Sequence, residues 1–124
     1  MAGSSIILAV DCNQRNLELL AKFLDRAGYR TIDWFVVLEE FAAALDRRAK
    51  IGMALVDISG FDRRIWECCE QLRNQQIPFL VLSPKQSAAI QQESLCRGAR
   101  SMLVKPLTVK ELLGIVSSLL GESE

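Results

Sequence analysis

Four polar side chains each stand directly behind a short apolar run: Asp11 after Ile6–Val10, Asp57 after Ala54–Val56, Ser83 after Phe79–Leu82, and Lys105 after Met102–Val104. If those runs are strands of one parallel sheet, all four lie at carboxyl ends, where open α/β sheets bind ligands at the point where strand order reverses. In the order 2-1-3-4-5 that point falls between strands one and three, so Asp11 and Asp57 face each other. Two carboxylates held close together repel and raise one another's pKa. The cost is offset by a lysine, here Lys105, or by a cation such as Mg²⁺, which takes oxygen ligands. A hydroxyl at Ser83, one strand over, is placed to donate to an oxyanion formed at Asp57. Together the four fit phosphate chemistry. Each also has an ordinary structural use: an Asp after a strand as a helix N-cap, Ser83 before Pro84 as the opening of a helix, Lys105 as a solvated surface charge.

The positioning elements follow from the alternation of short β-rich runs with segments of helical period, which predicts a parallel sheet covered by helices on both faces. Strands are predicted at Ser5–Val10, Tyr29–Trp34, Ile51–Val56, Phe79–Leu82 and Ser101–Val104. Between them, Leu17, Leu20, Leu24 and Ala27 share one helical stripe. Leu38, Phe41, Ala42, Leu45 and Ala49 form a second, and Ile65, Cys69 and Leu72 a third. Val109, Leu112, Leu113, Val116, Leu119 and Leu120 mark a last helix capped by Thr108. Gly28 and Gly98 each close a helix before a strand, where a left-handed residue needs no Cβ. The fold class is α/β, a (βα)5 doubly wound five-stranded parallel sheet.

The 124 residues fit one domain, with a core over about residues 5–120 and a loose tail at Gly121–Glu124. Lys plus Arg and Asp plus Glu both number 15, which argues against a polyanion-binding surface and so against direct nucleic-acid contact. The first apolar run meets Asp11 too early for a signal peptide or a membrane span, so a cytoplasmic location is expected. With no histidine and no CxxC pair, Cys12, Cys68, Cys69 and Cys96 offer no zinc site and read as reduced thiols, the last three as small apolar residues on helices.

The motifs Ile7-Leu8-Ala9-Val10-Asp11, Ala54-Leu55-Val56-Asp57, Val81-Leu82-Ser83 and Leu103-Val104-Lys105-Pro106, with Gly98-Ala99 before the fifth strand, resemble those of response regulator receiver domains. The resemblance spans nearly the whole chain and implies a bacterial two-component protein with a flavodoxin-like receiver fold, as in chemotaxis-type members. By the same resemblance, Asp57 accepts phosphoryl from a histidine kinase or phosphotransfer protein. Asp11, Asp57 and the Ser59 carbonyl hold Mg²⁺, and Ser83 and Lys105 engage the phosphoryl group. The receiver promotes only its own phosphorylation and dephosphorylation. A target protein is met through the fourth helix, fifth strand and fifth helix, and a homodimer is compatible with the family.

Four positions depart from the family pattern. Cys12 replaces a second acidic residue, and a thiol is a poor ligand for a hard cation, so Mg²⁺ binding should weaken. The loop Ile58-Ser59-Gly60-Phe61-Asp62 is shorter than usual, which puts the position of the expected Ser59 carbonyl in doubt. Pro84 lacks the backbone N–H that reaches a phosphoryl oxygen, and Met102 replaces an aromatic rotor. Two further readings therefore stand beside the first: a pseudo-receiver that binds proteins without phosphorylation, and a small phosphatase of haloacid dehalogenase type. The phosphatase lacks its Asp-x-Asp here, where the chain reads Asp11-Cys12-Asn13.

Overall fold

The computed structural model describes residues 6–11, 13–34, 51–59, 63–105 and 108–120, with backbone alone at 14 and 30–34. In chain order the elements are β1 (Ile6–Val10), α1 (Gln14–Arg26), β2 (Arg30–Trp34), β3 (Ile51–Asp57), α2 (Ile65–Asn74), β4 (Phe79–Ser83), α3 (Ala88–Cys96), β5 (Ser101–Val104) and α4 (Val109–Leu119). The five strands form one sheet in the order β2-β1-β3-β4-β5, and every neighbouring pair is parallel. The predicted order is therefore observed. The stripe from Leu38 to Ala49 and the tail Gly121–Glu124 lie outside the described residues.

Alternation along the strands sends side chains to two cores. On one face Leu8, Val10, Ala54, Val56, Phe79 and Val81 meet Ile65, Cys68, Cys69 and Leu72 of α2. On the other, Ile7, Met53, Leu55 and Leu80 meet Leu24 of α1 and Leu112 and Val116 of α4. Strands buried on both faces read as continuous apolar runs, which is why these segments carry so few polar residues. Helix α3 has only Ser94 buried, with Ile90 packed partly against the first core. Its C-cap residue Arg97 pairs with Glu93 and reaches across to Glu70 of α2, a solvent-screened surface contact.

Helix ends decide between the capping alternatives and correct the first stripe. Asn13, not Asp11, caps α1 by accepting from the Asn16 N–H. Ser87, not Ser83, caps α3. Thr108 caps α4 as expected, in a reciprocal capping box with Glu111. Ala27 is the exposed C-cap of α1 rather than part of its stripe, and Val109 is 42% exposed. Cys68 and Cys69 are buried as small apolar residues, and burial pushes their thiols up to about 11 and about 12; Cys96 is exposed. No described helix is long and apolar enough to cross a membrane.

Gly28 and Gly98 take φ of +95° and +106°, the left-handed region that is costly for residues with a Cβ. A Cβ on Gly28 would meet nothing within 4 Å, whereas one on Gly98 would sit 2.9 Å from Arg73 Cδ. Gly28→Ala should cost about 1 kcal/mol and Gly98→Ala about 1–2 kcal/mol. Urea denaturation should rank the two in that order.

Candidate functional site

Strand register builds the site. Val10 pairs with Val56, so Asp11 and Asp57 leave adjacent strand ends side by side. Asp57 pairs with Leu82, and Ser83 with Val104, so the next two strands deliver Ser83 and Lys105 to the same edge. Both carboxylates are nearly out of solvent, at 4% exposure for Asp11 and 5% for Asp57. Lys105 Nζ donates to Asp57 Oδ2 at 2.6 Å, and the Ser59 backbone N–H donates to Oδ1 at 3.0 Å. Lys105 is thus a buried-site counterion rather than a solvated surface charge. The Lys105 backbone N–H also donates to the Ser83 carbonyl at 2.8 Å, which ties the exit of β5 to the end of β4.

Asp11 lacks such compensation. Its Oδ1 accepts the Asn13 backbone N–H at 2.8 Å, a local turn that orders the entry to α1. Burial, followed by the neighbouring Asp57 carboxylate, nevertheless pushes its pKa from the ordinary 3.8 to about 6, against the opposing pull of the Asn13 amide and of Lys105. A site with two carboxylates and one ammonium is short of positive charge.

Ser83 is fully buried, and its hydroxyl is engaged by Lys85. It donates to the Lys85 carbonyl at 2.8 Å and accepts the Lys85 backbone N–H at 3.3 Å, closing a small loop over Pro84. Nothing in residue type announced this closure. Because Pro84 has no N–H, the first amide after the strand belongs to Lys85, and the adjacent hydroxyl takes it. Met102 is buried in the first core. Cys12, Gly60, Phe61, Asp62 and Pro106 lie outside the described residues. Among the described residues, no three His, Cys, Asp or Glu side chains gather in one place.

The raised pKa has a consequence for stability. Between the unfolded value near 3.8 and the folded value of about 6, the folded chain holds a proton on Asp11 that the unfolded chain has released. Stability therefore falls as pH rises through that window, and the full penalty persists above it. Asp11→Asn should be nearly neutral at pH 4 and stabilising at pH 7 by about 1–3 kcal/mol in chelator. Chemical denaturation of both proteins across pH 4–7 measures the growing difference.

Residues 7–117 match the family described as "Response regulator receiver domain". The transcriptional regulatory protein GltR of Pseudomonas aeruginosa is 31% identical over 133 aligned positions, which cover 99% of this chain and 52% of GltR. The heme response regulator HssR of Staphylococcus saprophyticus is 25% identical over 91% of this chain and 50% of its own. The chain thus spans about half the length of these relatives. Among solved structures, a two-component response regulator from Clostridium difficile superposes with a TM-score of 0.83 at 23% identity, covering 94% of this chain and 96% of the other. The shared fold, the strand-end acidic pair and the family match over most of the sequence lead to one assignment: the chain belongs to the response regulator receiver domain family of two-component signalling.

Proposed function

We propose that the chain is a single receiver domain, residues 1–124, that accepts a phosphoryl group on Asp57 from a histidine kinase or phosphotransfer protein. The observation that carries the reading is the Asp57–Lys105 ion pair at 2.6 Å, set beside a second buried carboxylate at Asp11.

The acidic pair also fits Mg²⁺. Its oxygen donors are hard, and the two buried carboxylates stand beside a single ammonium, Lys105, that pairs with Asp57. Asp11, Asp57 and the Ser59 carbonyl would hold the ion, which when bound supplies charge neutralisation at the phosphoryl oxygens. The residues supply the rest. A carboxylate oxygen of Asp57 bonds to phosphorus while the bond to the donor's leaving nitrogen or oxygen breaks, its electron pair departing with the donor. The new acyl phosphate no longer carries the carboxylate charge that Lys105 holds. The ammonium then follows the negative charge onto the phosphoryl oxygens. Ser83 contributes only after its hydroxyl leaves the Lys85 carbonyl. Ser83 ends β4 and Lys105 directly follows β5, so their movement would be felt by α3, β5 and α4, the face through which a target protein would be engaged. The chain acts on no substrate but itself.

The commitment of Ser83 to Lys85 favours a second reading, a pseudo-receiver that binds proteins without phosphorylation.

Incubation with acetyl phosphate and Mg²⁺, read by intact mass, separates the two. A phosphate shift should appear slowly in the parent and vanish in Asp57→Asn. Ser83→Ala should slow it further by about tenfold or more, and Lys105→Ala by roughly a hundredfold. No shift in any protein, including Cys12→Asp combined with Pro84→Ala, would establish the pseudo-receiver instead. By calorimetry, Cys12→Asp should bind Mg²⁺ more tightly than the parent, because it adds a hard, charged oxygen ligand.

A further inference from the structure

The acidic site opens into a cavity whose apolar part phosphoryl transfer does not use. Between α1 and α4 lies a cavity of about 370 Å³ whose polar end is formed by Asp11, Asp57 and Lys105. Its walls are mainly apolar, Leu19, Leu20 and Phe23 of α1, Leu82 of β4, and Val109 and Leu112 of α4, with Asn16 and Thr108 also in the lining. Leu19, Phe23 and Val109 are 48%, 38% and 42% exposed, so three of the four large apolar side chains left in water among the described residues surround this one cavity. Such clustering marks a binding surface rather than scattered surface hydrophobes.

The charge at the polar end specifies the occupant. The cavity is lined by two carboxylates and, among the described residues, by one cation, Lys105, which is already held by Asp57. Asp11 receives a backbone amide from Asn13 and is 4% exposed. A ligand bearing an anion would meet an excess of negative charge, and one without charge would leave Asp11 uncompensated. The volume holds about a dozen water-sized groups at roughly 30 Å³ each, which suits a small molecule rather than an inserted helix.

We propose that this cavity binds a small amphipathic amine, its ammonium on Asp11 and its apolar body between α1 and α4. Nothing in this binding requires Asp57 to be phosphorylated. Because ammonium and divalent cation would share Asp11, the amine would also oppose Mg²⁺.

The test is a heteronuclear NMR titration of the chain with 4-phenylbutylamine, and with 4-phenylbutyrate as the isosteric anion. The amine should shift the amides of Asn16, Leu20 and Leu112 saturably, and the carboxylate should bind about tenfold more weakly or worse. Leu19→Gln and Phe23→Ser, both at exposed positions, should each weaken the amine about three- to tenfold while leaving Mg²⁺ affinity unchanged. Asp11→Asn should erase the preference for the amine over the carboxylate, and saturating Mg²⁺ should raise the apparent Kd. The proposal is overturned by no saturable shift up to about 5 mM, where a millimolar binder would be mostly occupied. Equal binding of the carboxylate, or indifference to both rim substitutions, would overturn it as well. Self-association in sedimentation velocity that Leu19→Gln removes would assign the face to a second copy of the chain instead. Acetyl phosphate labelling of the parent is read separately, so loss of either result leaves the other standing.

Discussion

Two carboxylates at neighbouring strand ends are each almost removed from water, and the lysine beside them pairs with Asp57. Burying an ionised carboxylate without a partner is among the larger penalties a fold can carry, and here the sheet imposes it through register, since Val10 opposite Val56 leaves Asp11 no position away from Asp57. Everything at this edge of the molecule answers that constraint. The Asn13 and Ser59 amides turn back onto one oxygen of each carboxylate, and the β5 exit is tied to the Ser83 carbonyl so that Lys105 arrives beside Asp57. The compensation is incomplete, and burial, with Asp57 beside it, leaves the pKa of Asp11 raised.

Much of this was legible in the sequence because it depends on short-range periodicity. Strands buried on both faces are apolar throughout, so Phe79–Leu82 and Ile51–Val56 stood out, and the polar residue that ends each run marked a strand end. The register carried Asp57 and Ser83 one residue further, into the strands themselves. What remained hidden depends on hydrogen-bond choices among near-equal partners. Asp11 and Asn13 are both good helix caps, and only the path of the chain decides that Asn13 takes the Asn16 amide while Asp11 turns inward. Ser83 offered a hydroxyl at the right strand end, yet an adjacent backbone pair at Lys85 competes for it at shorter range. Helix α3 gave no apolar stripe to read, and in the fold it indeed buries little beyond Ser94.

That weak burial bears on how a change at Asp57 could travel. Helices α1, α2 and α4 place large side chains into the two cores and can shift only by disrupting close packing. Helix α3 is held by Ile90, by the internal bond from Ser94 to the Ile90 carbonyl, and by Arg97 bridging to Glu70 on α2. The last is a partly exposed ion pair, weak and sensitive to salt. A two-state element needs alternatives that differ by only a few kcal/mol, and on this count α3 is, among the described helices, the one best suited to respond.

The connection from site to segment runs through β4. Its last residue, Ser83, meets the acidic edge, and the chain continues through Pro84 and Lys85 directly to the Ser87 cap of α3. As long as the hydroxyl of Ser83 closes on Lys85, that connection is held in one conformation by two hydrogen bonds. Drawing the hydroxyl toward a phosphoryl group on Asp57 would break the bond to the Lys85 carbonyl and free the path into α3. On the proposed reading, the same contact that makes Ser83 a poor phosphoryl ligand at rest makes its recruitment a structural event. Chemistry and conformational change would then be linked by one hydroxyl that cannot satisfy both partners at once.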